Sequence, residues 1–155
     1  MAIVICDTSS LIKLSITETL NFLPELFHQV VIPQAVYEEC PPALRVNIDN
    51  FGIPRESPKA CVFTQFGAGE REASNLALDD PWAGAFVLTD DRKAISAAAR
   101  TGIKTITAFD FFAALKLTHR IAETYLLVQK LRYAGEGINA DALQRMLEQT
   151  GEQYE

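Results

Sequence analysis

Short apolar runs that alternate with helix-periodic stretches set the tightest limit on how this chain folds. Residues 2–6 (AIVIC), 30–32 (VVI), 85–88 (AFVL) and 103–107 (IKTIT) are three to five residues long, rich in β-branched side chains and abruptly ended. Runs of that kind read as buried strands. Between them lie amphipathic segments of helical period. This order predicts an α/β fold with a mostly parallel sheet and helices on both faces. In such sheets ligands sit beyond the carboxyl ends of the strands, so polar residues just after each run carry the functional argument.

The local signals sharpen this outline. Asp7-Thr8-Ser9-Ser10 offers helix N-cap chemistry ahead of Leu11, Ile12 and Leu14. A helix is expected over residues 18–27. Another opens at Pro33 and runs to about Cys40, where Pro41-Pro42 stops it. Residues 41–68 carry Pro41, Pro42, Gly52, Pro54, Pro58 and Gly67 and read as irregular, a flap or a connection, with a strand near 61–64. Helices follow over about 70–78, 92–101, 109–117, 121–133 and 140–149. With 155 residues, the chain is expected to form a single domain over 1–155, with a helical C-terminal tail from about 121.

Composition excludes several classes. Apolar residues make up 48% and charged residues 22%, which supports a real core and argues against disorder. No apolar run approaches the roughly 20 residues of a membrane helix, and the N-terminus lacks the basic start and long apolar stretch of a secretory signal. Three cysteines (Cys6, Cys40, Cys61) without a CxxC pair point away from zinc and disulfides, and toward a reducing cytoplasm. The net charge of −6 is unevenly spread. Residues 1–91 carry thirteen acidic and five basic side chains, while 92–132 carry two acidic and eight basic. Such a division suits a metal site beside a phosphate-binding surface; it also suits solvated helix faces.

Four acids at element boundaries lean toward the apolar side. Asp7 follows the first run. Glu39 lies three residues after Val36, while Glu38 diverges. Glu70 precedes Ala73 by three and Ala77 by seven, with Glu72 to one flank. Asp91 precedes Ile95 by four and Ala98 by seven. Asp90 beside it is either a helix cap or an outer ligand. Each alone can be a cap or a first-turn acid. Brought together without a cation they would repel one another and raise their pKa values. A hard divalent cation with oxygen ligands removes that cost, and no histidine or cysteine cluster offers a softer site.

The segments IVICDTSSLIKL, VVIPQAVYEEC, GAGEREASNLAL, VLTDDRKA and RTGIKTIT, in this order over roughly the first 110 residues, resemble the PIN domain nucleases, specifically their small prokaryotic branch. The resemblance implies a Rossmann-like α/β/α sandwich. It places the family's acids on Asp7, Glu39, Glu70 and Asp91, with Asp90 alongside and Ser9 and Thr89 in support. It implies a Mg²⁺- or Mn²⁺-dependent ribonuclease, holding one or two ions and hydrolysing RNA phosphodiesters. Homodimers are frequent in the family, and many small members are toxins paired with an antitoxin. Arg92 and Lys93 could contact flanking phosphates, or be surface residues of a first helical turn. The alternative function is a non-catalytic PIN-like module that binds RNA or protein. Phosphoryl transfer through Asp7 fits less well, because position 9 is Ser where a second Asp is wanted. A dinucleotide site lacks GxGxxG after the first strand.

Overall fold

The computed structural model describes residues 2–59, 63–64, 67–79 and 82–154. Five strands form one parallel sheet. β1 (Ile3–Cys6) lies at its centre between β2 (Gln29–Pro33) and β4 (Phe86–Leu88). β3 (Arg55–Glu56) flanks β2, and β5 (Lys104–Ile106) flanks β4. Ile5 stands opposite Val31 and Val87, and Cys6 opposite Leu88. All four pairings are parallel, as the alternation of strands and helices predicts.

Strand side chains alternate between two faces, and each face has its own core. Val4, Cys6, Val30, Ile32 and Leu88 pack on one side against α1 (Thr8–Ile16), α7 (Ala108–Leu117), α8 (Tyr125–Tyr133) and α9 (Ala140–Thr150). Ile5, Val31 and Val87 pack on the other against α5 (Ala68–Leu76) and α6 (Arg92–Arg100). The result is the α/β/α sandwich that the sequence implied. Met146 and Ala142 of α9 are fully or almost fully buried against the first face, so the C-terminal helices are part of the main core.

The structure departs from the sequence reading where proline and backbone sign intervene. No helix spans 18–27. Glu18 adopts a left-handed φ of 58°, and Pro24 cannot donate an amide hydrogen to a helix entering from before it. A 3₁₀ turn (Leu20–Phe22) and the single turn α2 (Leu23–Leu26), with Pro24 in its first turn, take its place. Pro41-Pro42 ends α3 (Gln34–Glu39) as expected, but Pro42 also opens α4 (Pro42–Asn50), whose Leu44 and Ile48 are buried one turn apart. The expected strand near 61–64 falls mostly outside the described residues; Phe63 and Thr64 belong to no regular element. α8 starts at Tyr125, not near 121. Among the described residues no helix is long and apolar enough to cross a membrane, and Cys6 and Cys40 are buried free thiols.

Candidate metal centre

β1, lying mid-sheet, delivers Asp7 to the carboxyl edge. The Asp7 amide donates to the Leu88 carbonyl (3.1 Å), so the sheet itself fixes this residue. Its side chain caps α1, accepting from the Ser10 amide at 2.9 Å. Asp7 is fully buried. Burial pushes its pKa up to about 6, against hydrogen bonds from Thr89 and Ser10 that favour the charged form, and the nearby Asp90 adds to the rise. The Ser9 hydroxyl makes only long contacts, 3.4 and 3.5 Å to the two carboxylate oxygens. The buried Ser10 hydroxyl lies close enough to oppose the shift but has no hydrogen-bond partner of good geometry.

Glu39 ends α3 and joins two other elements. Its Oε1 accepts from the Gly69 amide at 2.8 Å and its Oε2 from the Thr8 hydroxyl at 3.0 Å. The first turns of α1 and α5 therefore converge on one carboxylate, a favourable arrangement for an anion. Glycine is required at position 69: a Cβ there would stand 2.8 Å from Thr8 Oγ1 and 3.1 Å from Glu39 Oε2. Glu38 diverges, as helical phase predicts, and pairs with Gln34 at 3.3 Å. Glu70, half-buried in the first turn of α5, folds its Oε2 back over Gly67. On the flank, burial raises the Glu72 carboxyl; the Arg71 charge and a hydrogen bond from the Ala35 backbone oppose that rise, and Glu38 and Glu39 add to it.

Asp91 caps α6, its Oδ1 accepting from the Ala94 amide at 2.9 Å. Its own amide donates to the Thr89 hydroxyl oxygen at 3.2 Å, and the same Thr89 side chain lies against Asp7. Hydrogen bonds thus tie Glu39 to Gly69, the neighbour of Glu70, and to Thr8, the neighbour of Asp7, while Thr89 meets both Asp7 and Asp91. None of Asp7, Glu39, Glu70 and Asp91 forms an ion pair among the described residues. Asp90 differs. Its Oδ2 meets the Lys13 ammonium at 2.8 Å, both side chains being over 90% buried, and its Oδ1 accepts from the Ala108 amide at 3.0 Å.

A family model described as a PIN domain (DUF3368) matches residues 3–152. The chain belongs to the PIN domain family. No curated protein matches it. Among solved structures it is similar to a PilT N-terminus domain protein from the hyperthermophilic archaeon Sulfolobus solfataricus P2. Sequence identity is 16%, coverage is 72% of this chain and 92% of that one, and the TM-score is 0.49. PIN domains commonly include metal-dependent nucleases and typically use divalent ions.

The donor chemistry of this PIN domain fits a hard cation. It is all oxygen, it includes a wholly buried carboxylate with no ion pair among the described residues, and a buried hydroxyl with no hydrogen bond of good geometry among them stands beside that carboxylate. As placed, however, no three His, Cys, Asp or Glu side chains among the described residues are grouped closely enough to hold one ion. The sequence reading also missed the residues that build the edge. Thr8, Gly69 and Lys13 were not singled out. The signals were a GAG run before Glu70 and a lysine inside the apolar stretch LIKL.

Four of the eight basic residues in 92–132 form ion pairs among the described residues. Arg92 donates to Asn139 (3.2 Å) and lies 3.9 Å from Asp141. Lys116, Arg120 and Lys130 pair with Glu152, Glu25 and Glu18. Lys93 is exposed and forms no ion pair among the described residues.

Proposed function

We propose that this PIN domain is a metal-dependent endoribonuclease whose Mg²⁺ or Mn²⁺ is held by Asp7, Glu39, Glu70 and Asp91. One observation supports the reading: hydrogen bonds join Glu39 to Thr8 and Gly69, next to Asp7 and Glu70, Thr89 meets both Asp7 and Asp91, and none of the four carboxylates has a cationic partner among the described residues. A bound divalent ion would offset charge developing on a phosphodiester and make water a better nucleophile.

The chain's own residues supply the rest. Asp7 and Asp91 are fixed by capping α1 and α6, and Thr89 bridges them. Thr8 and Gly69 aim Glu39. Ser9 and Thr89 support Asp7. Asp90, with both oxygens engaged, leaves the ligand set in this reading. Arg92 and Lys93, directly after Asp91, would meet flanking phosphates. Arg92 also lines a groove of about 500 Å³ with Ser96, Thr105, Asp110, Asn139 and Arg145.

The reading extends to a cytoplasmic homodimer, silenced by an antitoxin protein where one exists. The exposed Leu117, Leu126 and Tyr133 offer apolar surface for such contacts. A non-catalytic module that binds RNA or protein is the second reading, and the open spacing of the carboxylates favours it.

The deciding experiment incubates purified protein with mixed RNAs and Mn²⁺, beside an Asp7→Asn/Asp91→Asn control, and measures Mn²⁺ binding by calorimetry. Mn²⁺-dependent cleavage lost in the control is expected. Equal cleavage by both proteins would mean a contaminant. RNA binding without Mn²⁺ binding would mean the module.

A further inference from the structure

The groove of about 500 Å³ beside Asp91 is walled by α6, α7, α9 and the outermost strand β5, and the proposed chemistry touches it only through Arg92. Its lining is polar, but its charges cancel, Arg92 and Arg145 against Asp110 and Asp141. The first turns of α6, α7 and α9 open on it, and each is already capped from within the chain, by Asp91, Thr107 and Asn139. A bare phosphate therefore gains little here, neither net charge nor an uncapped helix end. A flat, uncharged group with donors and acceptors gains more. The Ser96 and Thr105 hydroxyls make no hydrogen bond among the described residues, and Asn139 caps α9 through its oxygen, which leaves its amide donors.

Arg145 adds a plate to this groove. Its Nε and Nη2 donate to the two Asp110 oxygens at 2.9 and 3.0 Å. Asp110 is itself locked in a capping box with Thr107, accepting from the Thr107 amide at 2.9 Å. A bidentate pair occupies the edge of a guanidinium and leaves its faces for stacking. The side chain is 48% exposed, and no aromatic ring among the described residues lies over it, whereas Arg55 already rests on Tyr37 at 3.9 Å. Unstacked RNA bases are read by such planes together with hydrogen bonds to their edges.

We propose that this groove is a base-reading subsite for single-stranded RNA: a base stacks on Arg145, its edge meets Ser96, Thr105 and Asn139, and its phosphate lies toward Arg92 and Lys93. This rests on RNA being the ligand, which the cleavage reading and the RNA-binding reading share, and it requires no metal.

The test is fluorescence anisotropy of labelled RNA on the full chain in EDTA, with circular dichroism to confirm folding. The probes are short homopolymers of A, C and U, a duplex, and an abasic strand that carries phosphates without bases. Single strands should bind about tenfold more tightly than the duplex or the abasic strand, and the homopolymers should differ among themselves. Arg145→Lys keeps the charge and loses the plate. It should weaken single-strand binding about tenfold, with the abasic strand and the salt dependence unchanged. Ser96→Ala/Thr105→Ala, which touches no ion pair or cap, should narrow the differences among homopolymers, and Arg132→Lys on α8 should change nothing. Equal binding of the abasic strand, or a folded Arg145→Lys protein that binds like wild type, would overturn the inference. If Arg145→Lys fails to fold, an unchanged base preference in Ser96→Ala/Thr105→Ala overturns it instead. Base-dependent binding without Mn²⁺-dependent cleavage would sink the nuclease reading and keep the subsite; cleavage with base-blind binding would sink the subsite alone.

Discussion

Asp7 ends β1 at the middle of the sheet, and Glu152 follows α9 near the C-terminus; both side chains are withdrawn from water, by 100% and 90%. Glu152 is fully provided for. Burial pushes its pKa up, but the Lys116 ammonium at 2.7 Å and the Thr124 amide and hydroxyl outweigh that, and the carboxyl lies below its usual range. Asp7 has hydrogen bonds but no ion pair among the described residues, and burial carries its pKa up to about 6. A protein that needed only a helix cap at Asp7 could have used serine or asparagine without burying a charge. The difference separates acids that hold the fold together from acids that wait for something positive.

The largest effect expected from this contrast is on cleavage. Asp7→Asn or Asp91→Asn should lower Mn²⁺-dependent RNA cleavage by about 100-fold or more, because each removes a charge that would hold the ion. Glu152→Gln should leave the rate of folded protein within about threefold. A comparable loss in Glu152→Gln would erase the distinction.

Stability should move in opposite senses. The Asp7 carboxyl titrates near 6 in the fold and near 3.8 in an unfolded chain. The fold therefore binds the proton more tightly, and the metal-free protein loses stability as pH rises from about 4 to past 6. At about 1.4 kcal/mol per pH unit of separation, the penalty at pH 7 approaches 3 kcal/mol as a ceiling. Asp7→Asn should recover part of it at pH 7, none near pH 3, and flatten that limb of the profile. Glu152 has the opposite sign: its contribution is present above the usual carboxylate range and is lost as pH falls through its lowered pKa. Glu152→Gln should destabilise at pH 7 by about 1–3 kcal/mol, an unpaired Lys116 being part of the cost. Chemical denaturation across pH 3–8 without metal checks both. Destabilisation by Asp7→Asn at pH 7 would show that the carboxylate is structural.

The order of elements was legible because strand sides and helix stripes are dictated by residues close in sequence. Helical phase separated Glu39, which reaches Thr8 and Gly69, from Glu38, but both Glu39 and Asp91, expected to lean inward, are exposed; Asp7, which follows a buried run, is buried. What sequence could not reach was pairing across distance. Lys13 lies 77 residues from Asp90 and Thr8 31 residues from Glu39, so nothing local told Asp90 apart from Asp91. The helix expected over 18–27 failed for a local reason, since the left-handed Glu18 has no signal as clear as a glycine would give. Pro41-Pro42 was read as a stop, but a proline at the first helical position is equally a start.

The smallest effect tests whether Arg92 belongs with the site or with the paired surface. Its side chain is 68% exposed, and its contacts, Asn139 at 3.2 Å and Asp141 at 3.9 Å, are themselves near the surface. Such a pair is worth little, so Arg92→Ala should change stability by about 0.5 kcal/mol or less. Asn139 keeps its own role, capping α9 through the Asp141 and Ala142 amides, without the arginine. If the groove beside Asp91 takes the nucleotide next to the cut, losing Arg92 removes one phosphate contact made equally in ground and transition states. KM for RNA should then rise roughly three- to tenfold with kcat unchanged, and the salt dependence of binding should shallow by about one charge. An unchanged KM and salt slope would place Arg92 with Lys116 and Lys130, cations whose business is a neighbouring carboxylate, and would leave Lys93 as the nearest candidate for the phosphate.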